Sequence, residues 1–273
     1  MSKRTRESKK GKGKEGHSEK RSPGTMTWVL GGVALVAVLV VGWNLFTSVT
    51  DQTVRSPVEL PAMTPQEMAE LAQPVVAGDE AAPLTIMDFS DYSCPSCRQF
   101  SSSVKPLLDQ GYVQEGLAQF AYYDFPLPGF PNSFLAARAA RCAGDQDGYW
   151  PFHDELFRNQ PQWSIMADPV PTFEGYAERL GLDRGEYRSC LRSDRHAEVV
   201  TANRDLGRQL GVQGTPTIFV NTGEGRALRV EDWGNMTEVR RVLDEALVRL
   251  GYGAADPPAE GEGDSPAGEG AGR

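Results

Sequence analysis

Hydrophobic positions along this chain fall into three regimes. Residues 27–46 (TWVLGGVALVAVLVVGWNLF) are apolar almost without a break, interrupted only by Asn44 near the far end. At about 1.5 Å per residue such a helix reaches across the roughly 30 Å hydrocarbon core of a bilayer, so the run predicts a transmembrane anchor. Residues 84–90 (LTIMDFS) and 117–125 (LAQFAYYDF) are short, dense apolar runs that predict buried strands. Between them, a helix is expected to open at the Cys-Pro-Ser-Cys of residues 94–97, with Pro95 suited to its first turn. From 132 the period turns helical, over 132–143, 149–158, 171–180, 184–191 and a longer stretch 194–210, each short segment bounded by Gly, Pro or Asp. Two further strands, 217–220 and 227–230, flank a Gly-containing turn at 221–225, and a helix over 237–250 closes the pattern.

Charge divides the chain at the apolar run. The first 22 residues carry nine Lys or Arg against Glu7, Glu15 and Glu19, a net of +6 with no aromatic or branched aliphatic residue to bury. This is the composition of a solvated arm. The whole chain is −9, which leaves −15 for the rest, with Lys105 its only lysine. So acidic a remainder argues against nucleic acid as partner, because phosphate binding relies on clustered Lys and Arg. A cleaved signal peptide would have a shorter apolar region and a small-residue cleavage site, absent after Phe46; a buried core helix would have a polar face. The positive-inside rule keeps the arm cytoplasmic and puts residues from about 47 onward outside, in an oxidising compartment. The expected organisation is a basic arm (1–26), an anchor (27–46), a Pro-rich linker (47–79) with one short helix near 65–72, a folded domain (80–252) and an acidic, Gly- and Pro-rich tail (253–273).

Four cysteines carry the candidate chemistry. The stretch FSDYSCPSCRQF holds Cys94 and Cys97, and a close pair is a metal clip, a staple or a reactive centre. A four-cysteine zinc site needs two close pairs, whereas Cys142 and Cys190 lie 48 positions apart, so no metal is expected. At a helix N-terminus, unpaired N–H groups and the helix dipole favour an anion; Cys94 is therefore expected to ionise below the free value of about 8.5 and to attack, with Cys97 one turn later resolving.

The order strand, helix, strand, helical block, helix, strand, strand, helix, with Cys94-Pro95-Ser96-Cys97 at the first helix and Gly214-Thr215-Pro216-Thr217 before the third strand, resembles the DsbA-type thiol:disulfide oxidoreductases. Their membrane-anchored forms are the most similar. The resemblance spans about residues 80–250 and includes DYSCPSC, AARAARCAGDQDGYWPFHDELF and LGVQGTPTIFVN. It implies an α/β thioredoxin-like fold with a helical subdomain inserted over about 130–193. By the same resemblance Asp88 is a buried acid relaying the proton of Cys97, the alternative being a carboxylate turned to solvent at a strand edge. Pro216 takes the place of a cis-proline beside the cysteines, against the ordinary trans proline; with Thr215, Pro95 and Ser96 it would bind substrate. Ser96 departs from the histidine of many oxidising relatives, which leaves the oxidising strength open within about −270 to −120 mV.

The redox-active disulfide would need no further cofactor. Clients would be reduced or misoxidised extracytoplasmic proteins, and reoxidation would fall to a membrane partner of the DsbB or vitamin K epoxide reductase (VKOR) type. Two other readings stay open. A reductase or isomerase reverses the electron flow, although no dimerisation domain is evident; a non-catalytic thiol metal-binding module, such as a copper chaperone, lacks a nearby Met or His cluster.

Cys142 and Cys190, in the same helical block and an oxidising compartment, are expected to form a structural disulfide rather than to remain two buried thiols; closing such a loop contributes about 4 kcal/mol in the chain-entropy model. His153, Tyr149, Trp150, Phe152 and Phe157 have the spacing of a packed helix face. His196 reads as a helix-start residue beside acids. Asp91 and Tyr92 either line a substrate groove or shape the turn before Cys94.

Overall fold

The computed structural model describes residues 25–50, 53–225 and 227–253. The chain divides into two units, 1–51 and 52–273. In the first, helix α1 (Thr25–Thr50) covers the expected anchor. Its side chains are described at residues 30 and 32–43, and Leu30, Val33, Leu35, Val36, Val38, Leu39, Val40, Val41 and Trp43 are all exposed. Among the described residues no helix is long and apolar enough to cross a membrane. The expected basic arm and acidic tail lie, but for their inner ends, outside the described residues.

The second unit opens with helix α2 (Pro65–Leu71), where the Thr64 side chain accepts from the Glu67 N–H and the Glu67 carboxylate accepts from the Thr64 N–H. Strand β1 (Val75–Ala77) and strand β2 (Leu84–Ser90) follow, then helix α3 (Pro95–Ser103), helix α4 (Lys105–Leu108) with a π-helical turn at Asp109–Val113, and strand β3 (Ala118–Asp124). The insertion consists of α5 (Ser133–Gly144), α6 (Tyr149–Arg158), α7 (Gln160–Trp163), α8 (Val170–Arg179) and α9 (Arg184–Leu191). Helix α10 (Ala197–Gln209), strands β4 (Thr217–Asn221) and β5 (Leu228–Val230) and helix α11 (Met236–Arg249) complete the unit.

The sheet order is β1-β3-β2-β4-β5. Among the described strands only β2 and β3 run parallel, with Asp88 opposite Tyr122; β4 lies antiparallel on the other side of β2, with Asp88 opposite Ile218. Alternation along β2 gives the sheet two buried faces. Leu84 and Ile86 belong to one core with Cys97, Phe100 and much of the insertion, while Phe89 belongs to a second with Phe125 and Val212. Gly207 makes the second packing possible, since a Cβ there would stand 2.7 Å from the Phe125 ring and 3.0 Å from that of Phe89.

The stretch expected to be a Pro-rich linker, 47–79, carries its short helix as α2 and is tied to the rest of the unit at its end. β1 pairs antiparallel with β3, and Met68 and Ala72 form a cluster with Ala202 of α10. A three-residue strand is too short to show alternation, so its pairing is set by the partner strand. Within the insertion Cys142 and Cys190 are joined by a disulfide, their Cα atoms 5.8 Å apart. Arg138, fully buried, donates to the carbonyls of Val54, Cys190, Ser193 and Arg195. Arg141 reaches the other way, with Nε 2.5 Å from the Asp124 carboxylate at the end of β3 and Nη2 3.0 Å from the Gln73 carbonyl.

Candidate active site

Strand β2 delivers the chain into the turn Asp91-Tyr92-Ser93-Cys94, and the turn is closed by its own backbone: the Cys94 N–H donates to the Asp91 carbonyl at 3.0 Å. Cys94 then sits at the N-cap of α3 in an extended conformation (φ −78°, ψ 123°), while its carbonyl accepts the first helical hydrogen bond from Arg98. Its sulfur thus faces the unpaired N–H groups of the first turn. Pro95 and Ser96 are exposed on that turn.

Both thiols are free, and both are more enclosed than an exposed nucleophile would suggest: Cys94 is 7% and Cys97 1% exposed. What separates them is electrostatics. Cys94 is pulled down to about 5, first by hydrogen bonding from the Cys97 thiol, then by the Thr215 hydroxyl and the backbone N–H groups of Cys97 and Ser96, against the opposing effect of burial. The Thr215 hydroxyl is buried without a hydrogen-bond partner among the described residues, which leaves it available to the sulfur. Cys97 is pushed well above the ordinary thiol range by burial first, then by hydrogen bonding to Cys94 and by the charges of Cys94 and Asp88; the Asp91 N–H at 3.4 Å from its sulfur offsets this only in part. One thiol is a thiolate at neutral pH and the other holds its proton.

Asp88 lies beneath the pair on β2, 2% exposed, and accepts from the Ser90 hydroxyl. Desolvation raises it to about 7, with the Ser90 bond and the charge of Lys105 opposing. Across the site, the Thr215–Pro216 bond is cis and the Thr215 carbonyl lies 3.5 Å from the Cys94 sulfur, which can donate to it only while protonated. The far-separated residues of the two motifs therefore meet at one sulfur.

Of the residues the sequence left between two roles, Tyr92 and Asp91 belong to the turn. Tyr92 is 1% exposed, its hydroxyl 3.0 Å from that of Tyr149 and its ring against Tyr122, His153 and Phe157. Asp91 accepts from the N–H groups of Ser93 and Leu127, both at 2.8 Å; burial raises it to about 6, against hydrogen bonds from Ser133, Leu127 and Ser93. His153 is buried in the aromatic face, its ring 5.1 Å from that of Tyr122, and burial keeps it below the usual histidine range. His196 bonds Asp145 at 3.0 Å. The disulfide sulfurs and His196 form the one grouping of potential metal donors among the described residues, and there both sulfurs are already bonded to each other.

Two contributors were not singled out from the sequence. Lys105 is buried beside Asp109 (2.6 Å), with its ammonium 4.8 Å from the centres of both the Phe120 and Trp150 rings, where its charge steadies Asp88. Its being the sole lysine of an acidic domain was the available signal. Gln160, on α7, donates to the carbonyls of Tyr92 and Cys94, and nothing local in the sequence marks it.

A family model described as Thioredoxin matches residues 70–238. Disulfide bond formation protein D of Bacillus subtilis is 27% identical over 187 residues, covering 64% of this chain and 77% of its own length. The oxidised crystal structure of BdbD from Bacillus subtilis aligns with a TM-score of 0.57 at 26% identity, over 65% of this chain and 97% of that one. α-DsbA1 of Wolbachia pipientis aligns with a TM-score of 0.58 at 20% identity, over 66% and 98% respectively, a likeness of fold.

Proposed function

This chain belongs to the thioredoxin family, as a DsbA/BdbD-like protein-disulfide oxidoreductase working through Cys94 and Cys97, and from that premise we propose that it is an extracytoplasmic oxidase tethered to the membrane by residues 27–46. A client thiolate attacks the Cys94 sulfur of the disulfide, expelling Cys97 as thiolate; a second client thiolate then attacks the client sulfur and expels Cys94. The client gains a disulfide and the protein keeps two electrons in its dithiol. Asp88 supports this cycle as the group that supplies a proton to Cys97 when it leaves and takes it back when Cys97 attacks. Thr215 and Pro216 would pair with the client backbone, beside Pro95 and Ser96.

The observation that carries the direction is the depressed ionisation of Cys94, at about 5 without a histidine at position 96. An acidic thiol is the better leaving group and stabilises the reduced form, which makes its disulfide the stronger oxidant. Because the folded value lies below the ordinary 9.0, that stabilisation is complete above pH 9 and is lost as pH falls through about 5. Reoxidation is then assigned to a membrane partner of the DsbB or VKOR type. An all-exposed apolar helix surface over 33–43 supports the tether, and the +6 arm supports a cytoplasmic N-terminus.

Refolding of reduced ribonuclease with stoichiometric oxidised protein tests the activity, and equilibration with glutathione gives the potential. A value above about −200 mV, more oxidising than the glutathione pool, is expected. One near −270 mV would transfer the reading to a reductase of the same fold.

A further inference from the structure

Helix α7 is four residues long and belongs to the insertion, yet its first side chain ends inside the redox turn. Gln160, 3% exposed, has Nε2 2.6 Å from the Tyr92 carbonyl and 2.8 Å from the Cys94 carbonyl. Both partners are acceptors with no proton to give, so only the amide NH2 can face them and the orientation of the side chain is fixed by chemistry. Its two N–H protons are thereby matched to two carbonyls, one on each side of Ser93.

The base of this side chain is itself held. Trp163, fully buried, donates through its indole N–H to the Leu156 carbonyl at 2.8 Å. Asn132 donates to the carbonyls of Trp163, Ser164 and Met166 at 3.2, 3.1 and 2.8 Å. The Asn159 side chain bonds the Glu155 carbonyl at 2.9 Å. On the opposite side of the turn, the Asp91 carboxylate takes the N–H groups of Ser93 and Leu127. The turn is thus gripped at the Ser93 N–H by its own first residue, Asp91, and at two carbonyls by the insertion.

We propose that Gln160 is a positioning residue for thiol–disulfide exchange: by holding the carbonyls of Tyr92 and Cys94 it fixes how Cys94 presents its sulfur to the N–H groups of α3 and to Thr215. The amide dipole also brings its positive end to the Cys94 carbonyl, which already accepts from Arg98. Both effects favour the thiolate, and both are lost when the donors are removed. The inference rests on Cys94 being the attacking thiol and is independent of the direction of electron flow.

The test uses the full chain, reduced, in three forms. Gln160→Leu removes the donors and puts an apolar side chain of similar size in their place; Gln160→Met replaces it should the leucine variant fail to fold. Asn132→Ala loosens the same helix without touching the turn. Thiolate absorbance at 240 nm is followed against pH, together with iodoacetamide alkylation below the titration midpoint. Loss of the Gln160 donors is expected to raise the Cys94 midpoint by about one pH unit and so slow alkylation about tenfold, with Asn132→Ala leaving the midpoint within a few tenths of a unit. An unmoved midpoint in the Gln160 variants, or an equal shift in Asn132→Ala, overturns the proposal. Absence of any acidic thiolate in the unmodified chain would instead overturn the Cys94 assignment beneath it.

Discussion

The chain carries two cysteine pairs in one domain, and their helix positions are opposite. Cys94 is the N-cap of α3; Cys142 and Cys190 lie in the last turns of α5 and α9. At an N-terminus the free N–H groups favour a thiolate, whereas at a C-terminus the free carbonyls repel one. A thiolate that is disfavoured is a poor leaving group, so the second pair is expected to resist reduction for the same reason that the first invites it. Sequence spacing, two intervening residues against a separation of 48, is a weaker guide to reactivity than the helix end on which a cysteine falls.

The largest effect should come from exchanging the roles. Cys94→Ala is expected to reduce disulfide donation to ribonuclease to background, while Cys142→Ala/Cys190→Ala retains it and loses about 4 kcal/mol of stability, seen as a fall in Tm of roughly 8–16 °C. If the double variant lost activity at unchanged Tm, the division into reactive and structural pairs would collapse. Titration with dithiothreitol sharpens the same contrast: mass mapping should find Cys94 and Cys97 reduced first, with Cys142–Cys190 still bonded.

Arg141, next to Cys142, tests whether the disulfide is what holds the insertion to the sheet. The Arg141–Asp124 pair is buried on both sides, 8% and 0% exposed. Burial still leaves Asp124 above its ordinary range, even though the ion pair draws it down and raises Arg141. Removing one member leaves an unpaired buried charge, so Arg141→Leu should cost about 3 kcal/mol in urea denaturation. Much smaller loss would mean that the disulfide and the apolar core suffice.

This contrast shows where sequence reading succeeds. Strands 84–90 and 117–125, helices 149–158 and 184–191 and the turn at 221–225 were legible because each carries a period or a breaker of its own, and their observed bounds agree within a residue or two. The close cysteine pair and the downstream Thr-Pro were legible as motifs. β1 was not, being three residues placed by β3, nor was α7, a single turn whose importance lies in one side chain 66 positions from Cys94. The π-helical turn at Asp109–Val113 likewise follows from packing rather than composition. Burial of Asp88 was legible only as a balance of alternatives, because a carboxylate between Met87 and Phe89 fits either face of a strand.

That carboxylate supplies the smallest and most discriminating test, since it acts on one pair alone. Asp88 is raised to about 7 by desolvation, from an ordinary 3.8. Between those values the folded protein binds more protons than the unfolded chain, so stability falls as pH rises from about 4 to 7. Asp88→Asn removes that dependence while its amide oxygen still accepts from Ser90. The variant is therefore expected to gain about 1–2 kcal/mol at pH 8 and little at pH 4, read as Tm against pH in the reduced state. Its effect on chemistry has the opposite sign. Without a base beneath it, Cys97 should resolve a Cys94 mixed disulfide more slowly at neutral pH, and the difference should shrink as the solution grows alkaline enough to ionise Cys97 directly. A rate profile identical to that of the unmodified chain, together with the gain in Tm, would leave Asp88 a buried charge that destabilises the fold and relays nothing.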